Sequence, residues 1–255
     1  MRSSQLGRSS EGNRLMTASH NDLNGRNRLL AALAPDDLAL LSPHMKYSHL
    51  KQGVILQEAG DSIEHVYFPQ SGMISLLAVM EAGNGIETAT IGREGAVGVM
   101  AGLGGRSAMG RAVIQLEGMF SHIAVAPFQI AMTQSAKMRN LIARYNDAQL
   151  TLVYQVAGCN ALHQVSTRLC RWLLQTHDRG DGDIIPLTQE FLSEMLGVQR
   201  TTVTMLAREL QELGLINYRR GRIEIADRPN LELRACECYE TARRKIDMVF
   251  SDAEH

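Results

Sequence analysis

Apolar residues recur at two different spacings along the chain, and the change of spacing divides it. From Leu50 to Val125 they come in short runs: Val54-Ile55-Leu56, Val66-Tyr67-Phe68, Met73 to Val79, Glu87 to Ile91, Ala112 to Leu116 and Ser121 to Val125. Gly53, Gly60, Gly72, Gly83, Gly85, Gly92, Gly95 and Gly98, with Asp61-Ser62, stand between or beside them. Short strands punctuated in this way predict a compact antiparallel barrel or roll. Ahead of it, Leu29 to Leu33 and Asp36 to Leu41 make two short helical pieces split by Pro35, which suits the first turn of the second. Residues 1–26 are polar and predict a disordered tail, with Met16 an alternative start. Glu11 and the missing amphipathic period argue against a transit peptide.

Beyond Pro127 the period becomes helical. Leu141, Tyr145, Ala148, Leu152, Gln155, Cys159 and Leu162 alternate in steps of four and three, a heptad seam. The helix is long for one small domain to cover, which favours a dimer helix; Gln155 in the seam leaves packing inside its own subunit open. A hinge near His163-Gln164 leads to an amphipathic helix from Val165 to Leu174 and a polar loop from His177 to Asp183. A last helix starts at Pro229 and carries Leu231, Leu233, Cys236, Tyr239, Ile246 and Phe250.

The stretch between these helices carries the chemistry. Phe191, Met195 and Val198 share one helical face, with Leu192 and Leu196 beside them, and Thr188 is placed to cap the start of a helix over 188–196. Gly197 marks a sharp turn. A second helix from about Gln199 to Leu213 buries Val203, Leu206, Leu210 and Leu213. Two helices meeting at such a turn predict a helix-turn-helix, whose second helix fits the major groove of double-stranded DNA. Gln199, Arg200, Thr201, Thr204 and Met205 are the candidate base readers. After Gly214, residues 215–218 and 222–225 alternate as strands around Arg219-Arg220-Gly221, a hairpin wing. Arg219, Arg220 and Arg222, with Thr188, Thr202 and Arg208, are the candidate phosphate contacts.

The fold class expected is therefore α+β, with a roll over residues 27–135, a dimerisation helix over 136–163 and a winged helix-turn-helix over 164–255. Composition changes this picture in one respect. The net charge is −1, so no global basic field drives DNA binding, and the positive surface must be local. No apolar run is long enough for a membrane span, and four cysteines do not make a secreted disulfide framework, so a reduced, cytoplasmic protein with no membrane partner is expected.

Roll, long helix, then helix-turn-helix and wing is also the order in which the chain resembles the Crp/Fnr family of bacterial transcription regulators, from about Asn27 to Asp227. The strongest match runs from Leu187 to Leu206, around Gly197 and Thr202-Val203; the roll matches through Gly53, Glu58-x-Gly60, Gly72 and Ile91-Gly92. The resemblance implies a homodimer on a two-fold symmetric operator, contact with RNA polymerase, and a roll that senses a signal. It also implies that Arg200 reads a base, and that Thr201 and Met205 replace an acid and a second Arg among the family's readers.

The chain departs from the cyclic-AMP-binding members of that family. Where they have a Gly-Glu pair, Gly92 is followed by Arg93, and the loop from Gly95 to Gly105 is longer. Arg106-Ser107 resembles the phosphate end of their cassette, but their adenine-contacting Thr-Ser pair falls on Val153-Tyr154. These six residues outline a pocket for an unidentified small-molecule effector, and cyclic AMP is not expected to bind. The alternatives are a nucleotide-gated member with a degenerate cassette, or a module that regulates a protein partner. No nucleotide-loop, metalloprotease or hydrolase motif is present, so no enzyme and no cofactor are expected. Without a cysteine before Cys159 the family's N-terminal iron–sulfur site cannot form, and Cys236-x-Cys238 on a helix would point two ways, so no metal site is expected either.

Overall fold

The computed structural model describes residues 26–180 and 182–251; the expected tail, apart from Arg26, and the start at Met16 lie outside them. Two short helices open the described chain, α1 (Arg28–Ala31) and α2 (Pro35–Leu41). Asn27 fixes the first. Its Oδ1 accepts from the backbone N–H groups of Leu29 and Leu30, each at 3.1 Å, while its Nδ2 donates to the carbonyls of Pro69 and Gly95. One wholly buried amide thus caps a helix and joins it to two turns of the roll.

The roll consists of β1 (Lys46–Leu50), β2 (Ile55–Gln57), β3 (His65–Pro69), β4 (Met73–Val79), β5 (Gly85–Ile91), β6 (Arg111–Leu116) and β7 (Gly118–Ala124). They form two antiparallel sheets, β1-β7-β3 and β2-β6-β4-β5, with Ile74, Ile91, Ile114 and Phe120 in the core between them. All six expected runs are strands. β1 was not expected, because Lys46-Tyr47-Ser48-His49-Leu50 buries none of its residues fully and shows no apolar alternation.

The helical part begins with α3 (Val125–Gln134) and α4 (Ala136–Leu162), which Ser135 caps by accepting from Met138 N–H. Then come α5 (Val165–His177), β8 (Ile184–Pro186), α6 (Gln189–Leu196), α7 (Arg200–Glu212), β9 (Ile216–Arg219), β10 (Arg222–Ile225), α8 (Arg228–Arg234) and α9 (Cys238–Ser251). Strand β8 pairs with β10, so the residues that follow the expected polar loop are the third strand of a sheet ordered β8-β10-β9. No helix among the described residues is long and apolar enough to cross a membrane.

Two expectations are corrected. The heptad seam of α4 does not face outward. Leu141, Tyr145, Ala148, Leu152 and Cys159 are buried within the single subunit, Gln155 is half-buried, and only Leu162, at the helix end, is open to solvent. Strand β5, the loop after it and helix α9 cover this stripe. A heptad period reports that a stripe is buried, not what buries it. The single C-terminal helix is also two, because residues 235–237 break between α8 and α9.

Tyr145 shows why the stripe belongs inside. Its hydroxyl accepts from the Ala96 N–H at 2.9 Å and donates to the Ala96 carbonyl at 3.0 Å. Gly95 lies so close that a Cβ there would meet the Tyr145 hydroxyl at 2.1 Å. Tyr145→Phe leaves both Ala96 groups unpaired in the core and should cost about 1–3 kcal/mol of folding stability by denaturant titration. Sedimentation should find its oligomeric state unchanged.

Candidate nucleic-acid interface and the cavity behind it

Helix α6 starts where Thr188 Oγ1 accepts from the Phe191 N–H at 3.2 Å, and it stops at Gly197, whose φ of 65° is left-handed. The chain then re-enters helix at Arg200, with Gln199 extended ahead of it. Val203, Leu206, Ala207 and Leu210 turn one face of α7 into the core against α6 and β9. Leu213, expected in that stripe, ends the helix and is exposed.

The opposite face of α7 is open. Gln199, Arg200, Thr201, Thr204, Met205 and Arg208 are exposed there and Thr202 is half-buried. Met205 is 61% exposed, an unusual position for an apolar side chain. Thr204 Oγ1 donates to Gln189 Oε1 at 2.7 Å, joining the start of α6 to this face. Arg208 pairs with Glu212 at 2.9 Å, and Arg200 stands 4.0 Å from Glu190. Both pairs are exposed, so each is weak and readily exchanged for another anion.

The wing turns through two residues, Arg220 and Gly221, with Arg219 and Arg222 paired across it. Both central residues have positive φ, 50° and 75°, as a tight primed turn requires. Arginine in that region costs roughly 1–2 kcal/mol against glycine, so the side chain is held out at a conformational expense. The Gly221 carbonyl accepts from the Leu187 N–H at 2.8 Å, which brings the wing tip beside Thr188. Three chain segments therefore converge on one edge: the capped start of α6, the open face of α7 and the arginines of the wing.

Behind this unit lies a cavity of about 400 Å³ between β5, α4, α5 and α9. Arg28, Arg93, Arg171, Arg179 and Arg243 reach it, together with Glu87 and Glu94. The six residues expected around an effector are not gathered here. Arg93 lines the cavity, and Gly92 packs against Arg179. Arg106 and Ser107 are exposed beside Ser62, and Tyr154 is exposed on α4, with Val153 half-buried. A cassette is a loop property, and this longer loop carries its Arg-Ser end to another side of the roll.

Two acids of the roll, buried Glu87 and half-buried Glu94, bind the helical unit across this cavity. Glu94 Oε1 accepts from Arg179 Nη2 at 2.6 Å and from its Nε at 2.9 Å. Glu87 accepts from Ser75 Oγ at 2.5 Å and from Trp172 Nε1 at 2.9 Å. Burial pushes the Glu87 carboxyl up to about 7, although Ser75, Arg171, Trp172 and Arg179 all favour its charge.

Sequence reasoning missed a third grouping. Cys159 on the last turn of α4 and His163, which caps that turn, meet Cys236 and Cys238, with all four ligand atoms within 4.8 Å of one another. Cys236 and Cys238 do not share a helix as expected. The break at 235–237 lets both face the same point, and no Gly or Pro announces that break. The hydrogen bond from Cys236 holds the Cys159 thiol low, and Cys236 is raised in turn.

Residues 167–234 match the Crp-like helix-turn-helix domain. Among solved structures, the chain is similar to a candidate transcriptional regulator of the Crp/Fnr family from Eubacterium rectale, at 20% identity over 82% of this chain and 98% of that one, with a TM-score of 0.63. FixK2 from Bradyrhizobium japonicum is similar at 13% identity over 75% and 98%, with a TM-score of 0.65. The c-di-GMP responsive regulator CLP from Xanthomonas campestris is similar at 16% over 75% and 99%, with a TM-score of 0.58. Among curated proteins none is similar in sequence.

The Glu87 carboxyl makes a prediction with a defined sign. Its pKa in the folded protein lies above the ordinary value, so the folded state holds the proton more tightly and stability falls as pH rises from about 4.5 to about 7. The full change should be on the order of 3 kcal/mol. Glu87→Gln keeps an acceptor oxygen for Trp172 Nε1 and can donate from its amide N–H to Ser75 Oγ, and chemical denaturation as a function of pH should find that part of the slope removed.

Proposed function

We propose, from a chain whose residues 167–234 match the Crp-like helix-turn-helix domain and whose fold is similar to that of solved Crp/Fnr regulators, that the protein is a sequence-specific DNA-binding transcription regulator. The observation that carries this reading is the open row Gln199, Arg200, Thr201, Thr204 and Met205 on α7, flanked by the wing arginines. In this reading residues 27–135 are a sensor roll, 136–163 the long helix and 164–255 the DNA-binding part. Contact with RNA polymerase is carried by the Crp/Fnr resemblance.

Arg200 is the principal base reader, since its forked guanidinium in the first turn of α7 matches guanine O6 and N7. Met205 and the methyl of Thr201 suit thymine methyl groups. Thr188, Thr202, Arg208, Arg219, Arg220 and Arg222 hold phosphates, which fixes the position on the duplex without reading it. Charges in this unit alternate in sign, with Glu190, Glu194, Glu209, Glu212 and Glu224 among the arginines. Weak non-specific binding follows. Arg200→Ala should cost about 1–3 kcal/mol per half-site and flatten preference at one base pair. Arg220→Ala should weaken all sequences alike and lower the salt slope by about one. Binding titrations on randomised operators check both, and an unchanged operator preference in Arg200→Ala reverses the assignment.

The protein acts as a homodimer, and the buried stripe of α4 leaves another face for the partner. Ala143, Asp147, Leu150, Tyr154, Ala157 and Ala161 follow each other in steps of four and three, and all are exposed. Leu150 is 49% and Tyr154 70% exposed in the subunit. A seam along this face sets two reading helices side by side, with half-sites about one helical turn apart. Leu150→Glu should yield a folded monomer in sedimentation at micromolar protein, with its circular dichroism unchanged.

The signal reaches the protein through the roll and the cavity behind α4. We do not assign it to cyclic AMP, because Arg93 stands where an acid accepts the ribose and Arg106-Ser107 lies apart from that cavity.

A further inference from the structure

We propose that Cys159, His163, Cys236 and Cys238 bind one tetrahedral, thiophilic divalent ion of the zinc class, and that this ion clamps the end of α4 to the connection between α8 and α9. The proposal is independent of DNA binding. It rests on the number, type and spacing of the ligands.

Cys159 lies on the last turn of α4 and His163, four residues on, caps that turn with its N–H on the Cys159 carbonyl at 3.1 Å, so the two residues stack on one side of the helix end. Cys236 comes from the link after α8, and Cys238 is the first residue of α9. Three thiols and an imidazole are the donor set of a closed structural zinc site. The distances agree with one ion. Cys159 and Cys236 have their sulfurs 3.6 Å apart, and Cys238 Sγ is 3.5 Å from His163 Nδ1. Zinc–sulfur and zinc–nitrogen bonds of about 2.3 and 2.0 Å at tetrahedral angles put ligand atoms roughly 3.5–3.8 Å from each other. A polynuclear iron–sulfur cluster has several irons between its thiolates and holds them farther apart than the 4.8 Å that encloses this whole set.

The surroundings are those of ligands rather than of inert core thiols. The other nitrogen of His163, Nε2, stands 3.9 Å from the exposed Glu237 carboxylate, near enough for ion pairing though not a hydrogen bond. Gln155 donates from Nε2 to Cys238 Sγ at 3.0 Å, a polar contact to a sulfur that Gln155 makes from within the half-buried stripe of α4. Three thiolates and a neutral imidazole around a divalent ion leave one net negative charge. Arg168 and Arg171, both buried on α5, supply positive charge that acts on these sulfurs. Cys170, the remaining cysteine, lies outside the group in the core of the helical unit, so the clustering is not a general property of the thiols.

The site's place gives it a consequence. His163 is the residue at which α4 ends and α5 begins two positions later, so the clamp sits across the hinge between the long helix and all that follows. An ion there joins the hinge to α9, which itself covers α4.

The full-length protein, purified with reductant, stripped by chelator and titrated anaerobically with Co²⁺, tests this. The expected result is one cobalt per chain, the intense visible bands of tetrahedral cobalt with thiolate charge transfer, displacement by Zn²⁺, and a higher melting temperature with metal than without. Cys236→Ser and Cys238→Ser should each lose charge-transfer intensity and at least about tenfold in affinity, while Cys170→Ser matches the unaltered protein. Gln155→Ala keeps all four ligands and should weaken cobalt about tenfold, which holds the test open if a cysteine variant misfolds. A weak octahedral cobalt spectrum overturns the proposal. So does equal loss in Cys170→Ser, acid-labile sulfide in the purified protein, or a Cys159–Cys236 disulfide that persists in reductant. Metal loading is measured without DNA, so its failure leaves the DNA-binding reading standing, and the reverse.

Discussion

The arrangement of the helical unit depends on two acids of the roll whose hydrogen bonding is completed by that unit. Glu87 on β5 and Glu94 just after it lie under α5, and their partners are Trp172 and Arg179, both on or just beyond that helix. Ser75 and the Gly92 N–H meet part of their need from within the roll, and an acceptor oxygen left facing the interface without its indole or guanidinium is costly, so these residues favour the seating of α5. The apolar contact beside them is large but permissive, since Met73, Leu77, Val113 and Leu116 of the roll would pack against many hydrophobic surfaces. Directional hydrogen bonds to an indole and a guanidinium select one seating among those. Gly92 belongs to the same constraint, because a Cβ there would meet the Arg179 side chain at 2.5 Å.

That seating decides what α4 can do. Its inner stripe is used by β5, by the loop holding Ala96 and by α9, and the helix also walls the cavity through Leu152, Gln155 and Val156. Only the opposite face, with Leu150 and Tyr154, is left for a partner. One helix of 27 residues thus serves its own core, a cavity and, in our reading, a dimer and a metal clamp. Each use takes a different face or a different end, which explains why its composition is mixed and its apolar pattern is shallow.

Where local spacing alone determines structure, the sequence was legible. Thr188, Gly197 and the turn at Arg220-Gly221 each act on their own neighbours, so α6, α7 and the wing could be read within a residue or two of their ends. The strands of the roll were legible because glycines bound most of them. The rest depends on partners that sequence spacing does not name. The stripe from Leu141 to Cys159 was visible as a stripe, but α9, its cover, lies some eighty residues further on. Strand β1 follows the Lys46 to Leu50 segment because β7 pairs with it, not because of any pattern of its own. The cysteines were misjudged through one local assumption, a continuous helix over Ala235-Cys236-Glu237, where the chain in fact turns to bring Cys236 and Cys238 to a common point. A spacing of two residues excludes a shared ligand only while the helix holds.

The proposed clamp and helix α7 do not touch, and one link between them runs through α5. Arg168, one turn into α5, donates from Nη2 to the carbonyl of Leu196 at 2.7 Å, where α6 ends and the turn to α7 begins. A helix end has carbonyls without intrahelical partners, and this one is held by a cation rooted beside the thiol group. If an ion holds the hinge at His163, it also fixes the start of α5 and hence the base of Arg168. Losing the ion would then free the angle of α6 and α7 together, as a rigid pair, rather than unfold either. In our reading of a dimer on a two-fold site, coupling of that kind would alter how the two α7 helices are spaced without altering their open faces, and would change affinity for the site while leaving the preference at each base pair intact.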